Sequence, residues 1–185
     1  MVEILLRRRD VNPDKPDMFG QAPLYCASGN GHEKVVKIPL GRDGVDPDKP
    51  DNDSETPLSR ASLNGHEGVV EMLPERHDVN PDKPDNHGRT PLFAAACHGH
   101  EGVVKTLLAR GVNPDRPNIN GRTPLYLAAW NGKEGVVKML LARDVVNPNK
   151  LDKDGKTPLD RATEECHKGV IALLQPPEAV VPSLS

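Results

Sequence analysis

Leucine, valine and alanine recur along this chain in paired blocks. In one pair, Leu92 and Ala95 are three residues apart, and Val103-Val104 and Leu107-Leu108 follow. The spacing of three predicts a short helix with leucine and alanine on one face. The i, i+1, i+4, i+5 pattern predicts a second helix with one broad apolar stripe. The first block returns as Leu24/Ala27, Leu58/Ala61, Leu125/Ala128 and Leu159/Ala162. Each leucine follows a proline (Pro23, Pro57, Pro91, Pro124, Pro158), and these prolines are 34, 34, 33 and 34 residues apart. Self-similarity at a period near 34 marks a solenoid of stacked helical units.

Polar residues punctuate the pattern. Thr56, Thr90, Thr123 and Thr157 stand before the periodic proline, giving an N-cap hydroxyl ahead of proline at the first helical position. Gly31, Gly65, Gly99 and Gly132 end the first helix, since glycine tolerates a left-handed C-terminus. After the second helix comes a polar linker such as Val79-Asn80-Pro81-Asp82-Lys83-Pro84-Asp85. Its residues favour turns, and its prolines exclude a paired central strand. Such linkers project as loops or loose hairpins. Fourteen of the 19 prolines belong to this period.

At this point the chain resembles an ankyrin-repeat array. The residues that carry the resemblance include Gly88-Arg89-Thr90-Pro91-Leu92-Phe93-Ala94-Ala95 and Gly99-His100-Glu101-Gly102-Val103-Val104. It covers roughly residues 1–175, and the linker resembles those of ankyrin arrays in filamentous-fungal multidomain proteins. The resemblance implies an all-α solenoid of helix-turn-helix units with projecting hairpin-like loops. Residues 1–17 form a partial unit, a second helix and linker, because Val2-Glu3-Ile4-Leu5-Leu6 aligns with Val36-Lys37-Ile38-Pro39-Leu40. Five units over residues 18–175 make one solenoid domain, and residues 176–185 read as a flexible tail. The half unit at the start marks a piece of a longer array or a truncated product. Asp160, Arg161, Glu164, Glu165 and Lys168 give the fifth unit the polar character of a cap.

Some positions break the pattern. Pro39 and Pro74 fall in second helices, at positions held by leucine in the third and fourth units. Proline there costs ~3 kcal/mol in a helix interior, unless the helix ends a turn early. Ala22 lacks the capping hydroxyl, Ser54 replaces a turn glycine and Cys166 replaces a helix-ending glycine.

The resemblance also implies a cupped shape whose concave face, made of loop tips and the exposed side of the first helices, binds a protein. Carried onto this sequence, the tip positions are Met18, Phe19 and Gln21 in the first unit and Asn52, Asp53 and Glu55 in the second. Asn86, His87 and Arg89 follow in the third, then Ile119, Asn120 and Arg122 in the fourth. The helix positions are Leu63, Asn64, Cys97, His98, Trp130 and Asn131. All five aromatics fall on or beside this face, and rings and arginine are enriched at binding hot spots. Phe19, Arg89, Arg122, Tyr126 and Trp130 are therefore the leading partner-binding candidates. Tyr25, Phe93 and Tyr126 have a second reading, in which they pack between units.

Composition narrows the function further. Mean hydropathy is −0.57, and no apolar run approaches the ~18 residues of a membrane span. The first nine residues are too short and charged for a secretory signal. A net charge of −3 gives no general attraction to nucleic acid. Three widely spaced cysteines fit neither a disulfide framework nor a zinc site, which points to a reduced, intracellular and cytoplasmic setting. His32-Glu33, His66-Glu67 and His100-Glu101 suggest a zinc-protease helix, but Val36, Val70 and Val104 occupy the place of the second histidine. These histidines are read as links between neighbouring units. His87, His98 and His100 lack a matching ligand, and Gly29-Asn30-Gly31-His32-Glu33-Lys34 lacks the ending of a phosphate loop. The expectation is a non-enzymatic, monomeric protein-interaction scaffold without cofactor or metal. The alternatives are the recognition end of a larger nucleotide-dependent signalling protein, or a degenerate fragment without its own function.

Overall fold

The structure, a computed structural model, describes residues 12–41 and 44–175. Among these residues ten α-helices form five pairs, and there is no strand. The first unit holds α1 (Pro23–Gly29) and α2 (Glu33–Leu40), the second α3 (Pro57–Leu63) and α4 (Glu67–Met72). The third holds α5 (Pro91–His98) and α6 (Glu101–Ala109), the fourth α7 (Pro124–Trp130) and α8 (Glu134–Leu141). The fifth is α9 (Pro158–Glu164) and α10 (Lys168–Leu174). First helices pack on one another in chain order and second helices do the same, giving two layers. The expected helix at residues 2–6 and the tail at 176–185 lie outside the described residues.

The local chemistry matches the sequence pattern. Thr56, Thr90, Thr123 and Thr157 accept backbone N–H bonds from Ser59, Phe93, Tyr126 and Asp160. Asp160 returns a bond to the Thr157 backbone and completes a capping box. Ala22 makes no such bond, a loss of about 1 kcal/mol. Gly65 turns left-handed at φ 76°, and a Cβ there would lie 2.6 Å from the His100 ring. Close stacking of units therefore needs glycine at that corner.

The core runs between the layers. Leu58, Leu92 and Leu125 from first helices are fully buried, as are Val69, Val104, Leu107, Val137 and Leu140 from second helices. Each contributes roughly 1.5–3 kcal/mol by leaving water. Ala61, Ala95 and Ala128 have no exposure and let neighbouring first helices approach closely.

The two anomalous prolines are accommodated differently. Pro39 stays inside the last turn of α2. Pro74 ends α4 at Met72, and the chain continues as a 3-10 turn over Leu73–Glu75. A cavity of about 260 Å³ lies beside both, lined by Lys37, Leu40, Gly41, Met72, Glu75 and Arg76. Arg76 reaches back from the second unit and donates to the Leu40 carbonyl at 2.8 Å, satisfying an oxygen at the end of α2.

Three sets of ties join consecutive units. The Nε2 atoms of His66, His100 and His167 donate to the carbonyls of Gly29, Leu63 and Trp130 at 2.9–3.0 Å, so His66 and His100 link units as the sequence implies and His167 does the same. In the linkers, Asp48 accepts the Asn80 N–H at 2.8 Å, while Lys83 donates to the Asp48 carbonyl at 3.0 Å. Asp14 relates to Asp46 and Lys49 in the same way, and Asp82 to Asn113 and Arg116. The third set lies at the loop tips.

Candidate functional site

Each loop tip is a turn held by one side chain. Asp51 Oδ1 accepts the backbone N–H groups of Asp53 and Glu55, and Asp85 Oδ1 accepts those of His87 and Arg89. Asp17, Asn118 and Asp152 do likewise in their units. Aspartate and asparagine suit this role because the short side chain reaches two residues onward. One backbone bond then joins each tip to the next. Asn52 donates to Phe19, Asn86 to Asp53, Ile119 to His87 and Lys153 to Asn120, at 2.9–3.1 Å. The tips therefore stand in a fixed row while their side chains differ.

The candidate residues fall into several settings on this frame. Phe19 and Ile119 are 59% and 52% exposed at their tips. Asn52, Asp53, Asn86, His87 and Asn120 are exposed beside them. Gln21 is half-buried and lies near the Cys26 thiol. Glu55 is half-buried, receiving the Tyr25 hydroxyl at 2.5 Å with Arg60 at 3.7 Å. Arg89 is exposed but pairs with Asp85, Nε to Oδ2 at 2.6 Å. Asn131 is exposed and bonds the Leu127 carbonyl.

Arg122, Tyr126 and Trp130 come together in one cluster. The guanidinium carbons of Arg122 and Arg161 lie 4.9 and 5.0 Å from the Trp130 ring centre, within cation–π range. Trp130 meets the Tyr126 ring edge-on at 6.0 Å and donates its Nε1 proton to Glu165 at 3.2 Å. Arg122 reaches Asp152 and Asp154, both at 3.3 Å.

Tyr126 requires a correction. It is 1% exposed, so its side chain offers no surface to a partner. Its hydroxyl donates to Asp152 and accepts from Arg161 Nε at 2.6 Å. Tyr25 and Phe93, at 2% and 5%, are packed away as well. The two tyrosines lean toward the next unit, and burying the ring there outweighs presenting it.

Charge in the cluster is balanced. Burial alone would raise the Asp152 carboxyl. The Tyr126 hydroxyl, the Lys156 and Asp154 N–H groups and Arg122 instead hold it well below the ordinary carboxylate range. Burial and the Glu55 carboxylate push the Tyr25 phenol above its usual value. Burial and Asp152 do the same to Tyr126 against the opposing Arg161. The sequence reading missed Asp152 and Arg161 as members of this site. Their signal was present: Tyr25 and Arg60, like Tyr126 and Arg161, are 35 residues apart.

Among the described residues no three potential ligands gather as a metal site, and Cys26, Cys97 and Cys166 are free thiols. No described helix is long and apolar enough to cross a membrane.

The family model for ankyrin repeats matches three times, over residues 1–85, 39–118 and 110–182. Together these spans cover nearly the whole sequence, and the chain belongs to the ankyrin-repeat family. Repeats of this family are generally protein-interaction modules, and the fold is typically non-catalytic. The comparison with curated proteins gives no significant match.

Proposed function

We propose that this chain is a non-catalytic scaffold that binds a partner protein on its concave face, with residues 18–175 acting as one binding unit. The row of tips carries the proposal. Five turns held by the same hydrogen bonds display Phe19, Asn52-Asp53, Asn86-His87, Ile119-Asn120 and Lys153-Asp154 at fixed spacing. A surface ordered before binding loses little entropy on association. A standard interface of roughly 800 Å² per partner needs no cofactor. The net charge of −3 supports a protein partner over nucleic acid, and the free thiols fit a cytoplasmic setting.

The test compares partner recovery by the wild-type chain with recovery by Arg122→Ala and Trp130→Ala, each checked for folding by circular dichroism. Recovery of a partner should fall at least tenfold for one of the two. Equal recovery of every partner by all three proteins would remove the concave-face assignment.

A further inference from the structure

The residue two after each helix-opening proline is Tyr25, Ser59, Phe93, Tyr126 and Asp160 in turn. Three of these are rings, and all three are buried. The two tyrosines reach into the following unit, Tyr25 to Glu55 beside Arg60 and Tyr126 to Asp152 beside Arg161. The second unit departs from this arrangement. Ser59 takes the ring's position, and a groove of about 300 Å³ lies there. The corresponding groove beside Tyr25 measures about 150 Å³.

The lining of the larger groove is what a ring at position 59 would meet. Asp85, Arg89 and Ala94 line it, and they occupy in the third unit the positions of Asp152, Lys156 and Arg161 in the fifth. Leu63 and Phe93 add an apolar wall. Two polar groups there parallel the Tyr126 site with the phenol missing. Ser59, 4% exposed, has no partner for its hydroxyl. Asp85, 8% exposed, uses Oδ1 for its tip as Asp152 does, and its Oδ2 receives Arg89. The matching oxygen of Asp152 also takes the Tyr126 hydroxyl. Ala94 stands where Arg161 covers Tyr126, so the mouth stays open.

We infer that this groove receives a tyrosine side chain of the bound partner protein, which fills the gap at Ser59 and donates its phenol to Asp85. The inference rests on the concave-face reading and names what one part of that face recognises. Asp53, Glu55 and Asp85 line the groove together with Arg60 and Arg89, which pair with Glu55 and Asp85. A phosphotyrosine has no phenol proton to give Asp85 and would set its phosphate against that carboxylate. A phenylalanine would leave the Asp85 oxygen without its added donor.

The experiment titrates the full chain with N-acetyl-tyrosinamide, N-acetyl-phenylalaninamide and N-acetyl-phosphotyrosinamide, following backbone amide resonances by NMR. Tyrosinamide should shift Leu63, Phe93 and Cys97. Phenylalaninamide should bind about fivefold more weakly, and the phosphorylated probe should produce no shift at these residues. Ser59→Tyr should abolish binding and raise the melting temperature, because the chain then supplies its own ring. Ser59→Ala should bind within twofold of wild type. Absence of shifts at these residues in the wild-type chain, equal binding of the first two probes, or binding that survives in folded Ser59→Tyr would each overturn the inference. A chain that loses its partner with Arg122→Ala or Trp130→Ala, yet ignores tyrosinamide, keeps the concave face and loses this groove.

Discussion

At Ser54 and Cys166 the backbone turns left-handed, with φ of 63° and 58°. The same places elsewhere hold glycine, as at Gly88 and Gly99. A side chain in this region costs roughly 1–2 kcal/mol, against about 0.5–1 kcal/mol for glycine's extra freedom when unfolded. Ser54→Gly and Cys166→Gly should each raise stability by up to about 1 kcal/mol, measured by urea denaturation. Buried charge gives a second prediction at this scale. The Asp152 carboxyl is depressed in the folded chain. Its contribution is therefore complete above the unfolded value near 3.9 and is lost as pH falls below it. Asp152→Asn should cost about 2–3 kcal/mol at pH 7, and its stability should change less than that of wild type between pH 4 and pH 2. At the alkaline end the sign reverses. Tyr25 and Tyr126 are raised, so the stability they lend holds below pH ~10 and falls above it. Phenolate absorbance should appear at higher pH in the folded chain than in the chain unfolded in urea.

The second helices differ most from one unit to the next. Pro39 stands at the position of Leu73, Leu107 and Leu140, each fully buried, and its missing N–H leaves a gap in the last turn of α2. Pro39→Leu should restore the hydrogen bond and core volume, raising stability by about 1–3 kcal/mol. Pro74→Leu should gain less, because its neighbours already form a 3-10 turn and its counterparts Leu108 and Leu141 are less deeply buried than those of Pro39. Thermal melts of both variants check the order, and no rise for Pro39→Leu would refute the account. At this scale the sequence was widely legible. Helix starts follow from Thr-Pro, and first-helix ends from glycine, because those signals act within a few residues. The fate of Pro39 and Pro74 was not legible, since it depends on Arg76 reaching the Leu40 carbonyl from the next unit. Tyr126 was misplaced for a related reason. Its burial is fixed by Asp152 and Arg161, 26 and 35 residues further on.

Across the whole molecule the ties between units repeat at nearly constant separation. His66 to Gly29 and His100 to Leu63 both span 37 residues, while Lys49 to Asp14 and Lys83 to Asp48 both span 35. Each unit holds its neighbours, and stability in such arrays is approximately a sum of unit and interface terms. Removing Pro57–Thr90, 34 residues, joins Thr56 to Pro91 and keeps the Thr-Pro-Leu start. Gly29 then receives His100 in place of His66, and Asp48 receives Asn113 in place of Asn80. The shortened chain should fold cooperatively, with its helical circular dichroism reduced by about one unit in five; a non-cooperative melt would contradict the nearest-neighbour account. The same arithmetic carries into heredity. An in-frame gain or loss of one unit leaves the histidine, linker and tip ties with counterparts, so slippage between neighbouring copies of the repeat should pass with little damage to the fold. Copy number is then open to selection through the proposed docking surface rather than through the demands of the scaffold itself.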